Sequence, residues 1–148
     1  MRHQCKRHLL GRPKDQRDAL LRSLATALFT YDEIQTTMAK AKALRIYADK
    51  IVTLAKRGDV HARRQAVNFI YDNSVAGSVC VACNTYNEQS VEEAKCECGG
   101  KLVEATVLRK LFSVVAKNAQ ERQGGYTRVY RMPPRRGDNT EMALIQLS

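Results

Sequence analysis

Four of the five cysteines in this chain lie in one short stretch, as two close pairs. Cys80 and Cys83 are separated by two residues, and after twelve intervening residues there follows a second pair with one residue between its members. Two close cysteine pairs on two turns are what a tetrahedral zinc–thiolate site needs, because each pair supplies two sulfurs from one turn. The two glycines after the second pair permit positive φ beside a metal. The pattern therefore predicts a structural zinc ion held by Cys80, Cys83, Cys96 and Cys98.

The second pair is Cys-x-Cys and not the usual Cys-x-x-Cys, so other states of the sulfurs remain open. An iron–sulfur cluster, disulfides or free thiols are the alternatives, and disulfides are disfavoured in a reducing cytosol. The pattern contains no histidine or glutamate that would indicate an open catalytic position. Lys95 and Lys101 would offset the net charge of −2 on a zinc ion with four thiolates. Cys5 is remote in sequence, and we expect it to be an unpaired thiol.

The stretch that carries these cysteines differs in charge from the rest of the chain. Residues 73–101 have a net charge of −2, whereas the other 119 residues carry +12, which makes +10 over 148 residues. The stretch also has few apolar residues, and small units of this kind commonly depend on a metal for their stability. We therefore expect 73–104 to be a zinc-ribbon-like insertion in a core spanning 15–148, preceded by a basic arm at 1–14.

The core that must position this insertion reads as an α/β (α+β) fold with about four helices. Apolar residues recur at intervals of three and four in each helical segment, and Asp15, Thr37 and Asp59 are the expected N-caps. The best core candidates are Leu44, Ile51, Leu111 and Ile145. The predicted helices span 15–29, 38–57, 60–71 and 107–120.

Three further segments are rich in β-formers and bounded by turn residues. Two of them form a hairpin near the end of the chain, and a two-stranded hairpin alone would be marginally stable. The third should therefore pair with it. The predicted three-stranded sheet consists of 31–37, 126–132 and 141–147.

The positive charge indicates a polyanionic partner. The arm at 1–14 and the segment 122–136 each hold five lysines or arginines and no acid, and tyrosines lie beside the arginines of the hairpin. Arginine suits phosphate, and aromatic rings suit unstacked bases. The first helix and the start of the second add further cations. The expected nucleic-acid contacts are Arg2, His3, Lys6, Arg7, His8, Arg12, Lys14, Arg17, Arg22, Lys40, Lys42, Arg45, Tyr126, Thr127, Arg128, Arg131, Arg135 and Arg136.

Several short motifs match a known family in order and spacing. They are Met1-Arg2-His3, Thr36-Thr37-x-x-Lys40-Ala41-Lys42-x-Leu44-Arg45, Leu54-Ala55-Lys56, Lys110-Leu111-Phe112, Gly124-Gly125-Tyr126-Thr127-Arg128 and Arg136-Gly137-Asp138-Asn139. With these motifs the chain resembles the bacterial large-subunit ribosomal protein number seventeen family. The resemblance covers about 1–72 and 105–148, and the cysteine insertion departs from it.

The resemblance implies a small sheet backed by helices and a structural role on large-subunit rRNA near the exit of the peptide tunnel. The matched basic residues would then be rRNA contacts, namely Arg2, His3, Lys40, Lys42, Arg45, Arg128 and Arg136. Neighbouring ribosomal proteins would be further partners, with the acidic insertion facing a basic one. The ribosome would be of the bacterial type, in the cytoplasm or in an organelle.

Two other functions compete with this expectation. A zinc-ribbon regulator that binds nucleic acid is disfavoured because the insertion is acidic and no recognition helix is evident. An RNA-processing enzyme is disfavoured because the sequence shows no paired carboxylates, no Ser/His/Asp set and no phosphate-binding glycine loop. We therefore expect no enzymatic activity and no small-molecule substrate. No apolar run approaches the ~18 residues of a membrane span.

Overall fold

The computed structural model describes residues 8–91 and 95–148. The predictions made for Arg2, His3, Cys5, Lys6 and Arg7 lie outside these residues. The helices are α1 (Lys14–Tyr31), α2 (Met38–Arg57), α3 (Val60–Val67), α4 (Val107–Lys110) and α5 (Ala116–Asn118), with a π-helical segment (Leu111–Val115) joining the last two. The strands are β1 (Glu33–Thr37), β2 (Ser74–Cys80), β3 (Tyr86–Asn87), β4 (Leu102–Thr106), β5 (Thr127–Met132) and β6 (Met142–Leu147).

The ends of α1 correct two predictions. Pro13 occupies the N-cap position, so the prediction that Asp15 caps this helix is wrong, although Asp15 still lies in the first turn where a carboxylate complements the dipole. At the other end, Asp32 adopts a left-handed conformation with φ of 64°, and its N–H donates to the Leu28 carbonyl. Because the helix runs through Tyr31, strand β1 begins two residues later than predicted.

Helix α2 has the predicted bounds and the predicted buried stripe, with Leu44 and Ile51 fully buried. Gly58 ends it in the left-handed conformation that glycine adopts without steric cost. Thr37 holds the N-cap position, but its side chain makes no capping hydrogen bond. Asp59 caps α3 as predicted, since its carboxylate accepts from the Ala62 N–H at 2.8 Å.

Helix α3 is shorter than predicted and stops at Val67. The backbone then tightens, with the Phe69 N–H donating to the Ala66 carbonyl at 2.9 Å. The Tyr71 N–H donates to the Thr26 hydroxyl of α1, also at 2.9 Å. This tertiary bond ends the helix, because the Tyr71 amide is no longer available to an intrahelical carbonyl.

The predicted three-stranded sheet is confirmed, with strand order β1-β6-β5 and both pairs antiparallel. Ala143 and Ile145 point from the central strand β6 into the core, where β6 packs against α2 and α1. The four core residues chosen from the sequence are all fully buried there: Leu44, Ile51, Leu111 and Ile145.

A second antiparallel sheet, with order β3-β2-β4, lies within residues 73–106 and carries the cysteines. Both of its ends are joined to the helical body. Ser74 pairs with Thr106, and the Val107 N–H donates to the Asn73 carbonyl at 3.0 Å. Strand β4 passes directly into α4, whose first turn Thr106 caps. The insertion is therefore held at its base by two adjacent strands.

Candidate metal centre and nucleic-acid surface

The four cysteines lie on two turns that the second sheet brings together. Strand β2 ends at Cys80, which pairs with Leu102 at the start of β4. The first turn closes when the Asn84 N–H donates to the Cys80 carbonyl at 3.0 Å, and the second when the Gly99 N–H donates to the Cys96 carbonyl at 2.9 Å. Since the second turn leads straight into β4, the strand pairing places both turns side by side.

The four sulfur atoms form one compact group in which all lie within 4.8 Å of one another. The separations of Cys80 and Cys98 (3.4 Å), Cys83 and Cys96 (3.3 Å) and Cys96 and Cys98 (3.1 Å) are far beyond a disulfide bond of about 2.05 Å. Sulfurs bound to one zinc at about 2.3 Å would lie about 3.8 Å apart. This group can hold a metal ion with little movement.

Backbone amides point at these sulfurs in the manner that two metal-binding turns require. Cys80 accepts from the amides of Ala82 and Cys83, and Cys83 accepts from that of Thr85. In the second turn Cys96 accepts from the Cys98 amide. The Gly100 N–H lies 3.4 Å from the sulfur of Cys98. These N–H donors stabilise thiolates, which are the form of cysteine that binds metal.

The cysteines of the group differ in their tendency to ionise. The pKa of Cys80 is lowered, chiefly by the Cys83 amide. The Thr85 side chain, followed by Cys96, lowers the pKa of Cys83 to about 6. The Cys98 amide also lowers the pKa of Cys96, but the side chains of the other cysteines outweigh it and raise that pKa to about 12. The thiolate form is thus favoured at Cys80 and Cys83 and disfavoured at Cys96, and a bound cation would favour it throughout the group.

Gly100 sets the inner wall of the site, and the sequence analysis did not assign it that role. A Cβ at this position would lie 2.7 Å from the sulfur of Cys80 and 2.9 Å from the Ala82 Cβ. No flexible side chain could yield there, so only glycine fits. The effect of Thr85 on Cys83 was also not predicted from the sequence. Its position two residues after a metal-ligand candidate could have indicated it.

The four cysteines form a site near the protein surface in which every candidate ligand is a thiol. Cys80 is buried at the end of β2, whereas Cys83 and Cys98 are exposed. In the described part of the chain this is the group with metal-binding geometry, and it contains no histidine or carboxylate. Four protein ligands leave no open position for a substrate, which is the arrangement of a structural site.

Most predicted nucleic-acid contacts that lie in the described residues have accessible side chains. Arg17 and Lys40 are half-buried, and the others are exposed. The accessible set is His8, Arg12, Lys14, Arg17, Lys40, Lys42, Arg45, Arg128, Arg131, Arg135 and Arg136.

The fold brings two of these groups together at one end of the first sheet. Thr37 and Met132 both lie opposite Met142, so the start of α2 and the end of β5 meet at the start of β6. The Met38 N–H donates to the Glu141 carbonyl at 3.0 Å and ties α2 to the hairpin loop. The cations that share this end are Lys40, Lys42, Arg131 and Arg136.

Three predicted contacts are turned toward the protein itself. Tyr126 and Thr127 are only 5% and 4% exposed, because they precede and open β5 on its core side. Tyr126 donates from its hydroxyl to the Arg122 carbonyl at 3.2 Å. Arg22 is half-buried and donates to the carbonyls of Val67 and Ile70. We therefore exclude these three side chains from the accessible set.

Arg135 is exposed but partly neutralised. Its Nε donates to the Asp138 carboxylate at 3.1 Å within the hairpin loop. The Arg135 side chain, with help from Thr140, holds the pKa of Asp138 well below its usual range. Because Asp138 offsets its charge, Arg135 is a weaker candidate for phosphate than its neighbour Arg136.

Comparison with known proteins now decides the family. The family model described as ribosomal protein L17 matches residues 20–148. The chain belongs to the ribosomal protein L17 family. The chain is 41% identical over 138 residues to large ribosomal subunit protein bL17 of Clostridium acetobutylicum, covering 93% of each protein. It is 47% identical to bL17 of Exiguobacterium sibiricum over 93% of this chain and 95% of that protein.

The family match confirms the resemblance drawn from the motifs, and the cysteine insertion is present in the structure. The matched relatives are named as proteins of the large ribosomal subunit, and these names mention no metal. No helix among residues 8–91 and 95–148 combines the length and the apolar composition of a bilayer span.

Proposed function

We propose that this protein is a structural constituent of the large ribosomal subunit that binds its rRNA near the exit of the peptide tunnel. The observation that carries the rRNA proposal is the cationic end of the first sheet, where the start of α2, with Lys40 and Lys42, lies beside the end of β5 and its loop, with Arg131 and Arg136. These residues are about 90 positions apart in sequence, and the β1–β6–β5 pairing unites them. A rigid cationic surface suits the regular phosphates of folded RNA. The position near the tunnel exit comes from the family resemblance.

The accessible cations extend this surface along two other parts of the molecule. His8, Arg12 and Lys14 lead into α1, and Arg128 lies on the exposed side of β5. Their function would be electrostatic positioning, with exposed Tyr130 available to stack on a base. The role proposed is non-catalytic, on a bacterial-type ribosome in the cytoplasm, with neighbouring ribosomal proteins as further partners.

We assign the four sulfurs to one structural Zn²⁺. Zinc favours four thiolates in a tetrahedron and has no redox chemistry of its own. Bound there, it would join the two turns and hold the end of β2 against the start of β4, opposite the base at Ser74 and Thr106. Elemental analysis of purified protein should find one zinc per chain. Iron or no metal in its place would contradict the assignment.

Sedimentation tests the ribosomal role. In a sucrose gradient of a cell lysate, the protein should stay with the large subunit through moderate salt. A free nucleic-acid-binding regulator would instead remain in the light fractions, and that result would contradict the proposal.

Salt dependence tests the hairpin. Replacing Arg128→Ala together with Arg136→Ala should flatten the slope of log affinity against log salt by about one to two, because each phosphate contact contributes roughly 0.7–0.9. The matched control is Arg57→Ala with Lys117→Ala, which removes two exposed cations outside the predicted surface. Equal slopes for the two variants would place the hairpin away from RNA.

A further inference from the structure

A cleft joins the insertion to the helical body, and none of the residues lining it was among the predicted contacts. It has a volume of about 290 Å³ and lies between α3, α4 and the first cysteine turn. Its rim carries Arg63, Arg64 and Arg109, and its floor includes Val67 and Phe112. Asn84, the residue after Cys83, closes the side that faces the insertion.

The three rim arginines are available to an external anion. None of them forms an ion pair within the residues that the structure describes. Arg109 donates to the Glu104 carbonyl at 3.0 Å, which fixes its direction and leaves its charge uncompensated. Asp72 also lines the cleft, with its carboxylate accepting from the Leu108 N–H at 3.2 Å, and its one negative charge is outnumbered by those of the three arginines. The cleft is therefore cationic at its rim.

The floor is apolar and flat. Val67 is 43% exposed, which is high for a valine at the end of a helix beside a cleft. The Arg63 guanidinium lies over the Phe112 ring, 5.0 Å from its centroid, so a planar cation forms part of the wall. A guanidinium plane is a surface on which a nucleobase stacks, and the exposed Val67 side chain adds an apolar contact for the base. The volume is near the lower end of ligand pockets, which suits one nucleotide.

We propose that this cleft takes one unstacked nucleotide of the large-subunit rRNA, with the base against Val67 and the phosphate among the arginines. The proposal rests on the rRNA-binding function proposed above. An acidic peptide would satisfy the arginines but would leave the apolar floor without a planar partner, so the nucleotide is the better fit.

The cleft also gives the metal site a role in RNA binding. The Asn84 N–H donates to the Cys80 carbonyl, so the first cysteine turn determines where Asn84 lies. A metal that holds Cys80 and Cys83 would keep this wall of the cleft in place. Nucleotide capture would then depend on both parts of the molecule.

A pair of charge variants tests the proposal in the full chain. Val67→Asp places a negative charge on the floor, and Gln120→Asp places the same charge at an exposed position outside the cleft and outside the predicted contacts. In filter binding with purified large-subunit rRNA, V67D should lose about tenfold in affinity, within the range found for losing one stacked base. Q120D should lose less than about twofold, as an exposed charge far from a contact is screened by salt. Equal losses would overturn the proposal.

Two further measurements keep the test decisive if V67D folds poorly. Arg64→Gln changes only an exposed side chain and should flatten the salt slope by roughly 0.7–0.9, the share of one phosphate. An unchanged slope would overturn the proposal. A photoreactive side chain at position 67 in assembled subunits should cross-link to rRNA, and a cross-link to protein would assign the cleft to a protein partner instead. Failure of the wild-type chain to bind rRNA would instead refute the proposed function itself.

Discussion

The helical body and the cysteine insertion hold their structures in different ways. The body has a core cluster of twenty-one buried residues drawn from every one of its helices and from the central strand. Among the described residues of 73–104 the buried ones are Ser78, Val79 and Cys80, and one of these three is a metal-ligand candidate. Burial of this small size falls far short of the entropy cost of ordering some thirty residues. The body is stabilised by apolar packing, whereas the insertion depends on its cysteines.

The contrast extends to charge. The 119 residues outside 73–101 carry a net charge of +12, whereas 73–101 carry −2, from four acids and the two lysines that flank the second cysteine pair. A cationic surface suits phosphate, but a group of four thiolates needs a cation of its own. The two parts meet at the cleft between α3, α4 and the first cysteine turn. Variants that destabilise one part and leave the other folded measure how independent the body and the insertion are.

Loss of the metal should have the largest effect. Structural zinc in small units contributes about 10–16 kcal/mol of apparent binding free energy, so Cys83→Ser or chelation should unfold the insertion. The body should stay folded, because its core contains none of the cysteines. Two-dimensional NMR spectra would show collapse of the amide signals of 74–104 with the remaining signals in place. Cys5→Ser, outside the predicted ligand set, is the matched control, and collapse of the body signals would break the comparison.

Shortening a core side chain should have the next largest effect, and this effect should be on the stability of the helical body. Leu111 is fully buried in the π-helical segment, so Leu111→Ala should cost about 2–5 kcal/mol of the free energy of unfolding. Val60→Ala, at an exposed position, should cost far less. Denaturant titration measures both. Zinc content of the folded L111A protein should be unchanged, and loss of zinc would show that the insertion depends on the body.

A buried lysine tests how far polar contacts support the body. Lys110 is almost fully buried, and its Nζ donates to the Thr30 carbonyl at 3.0 Å and to the Asp32 carboxylate at 2.7 Å. It thereby satisfies a carbonyl at the end of α1. Lys110→Met should cost about 1–3 kcal/mol, the scale of hydrogen bonds to charged groups. Thermal unfolding measures this cost, with Lys117→Met, at an exposed position, as the control. Equal stability of the two variants would show that apolar packing alone sustains the body.

The smallest effect should come from one helix cap and should depend on pH. The bond from the Ala62 N–H, followed by smaller effects of Arg57, lowers the pKa of Asp59 below its usual value of about 4. The stabilisation by the Asp59 carboxylate is therefore fully present above about pH 4 and is lost as the pH falls through the lowered pKa. Asp59→Asn keeps a capping oxygen but does not titrate, so its melting temperature should fall less than that of the wild type below pH 4. Parallel curves for the two proteins would contradict the assignment.

Local chemistry determined much of this molecule from the sequence alone. The bounds of α2, the cap at Asp59 and the buried stripe followed from periodicity and end residues, since these depend on neighbours within a turn or two. The four metal-ligand candidates followed from spacing for the same reason. The basic character of the chain and the segments that carry it followed from the sequence, whereas the positions of these segments relative to one another did not.

Tertiary contacts decided what local rules could not. Helix α3 stops early because Thr26, 45 positions away, takes the Tyr71 amide, and Tyr126 and Thr127 are buried because β5 opens on its core side. The role of Gly100 depends on its distance from Cys80, which only the pairing of β2 with β4 sets. The cationic end of the sheet and the arginine cleft likewise join segments far apart in sequence. The position of such long-range contacts depends on the packing of the whole chain, so sequence patterns within a few residues do not contain it.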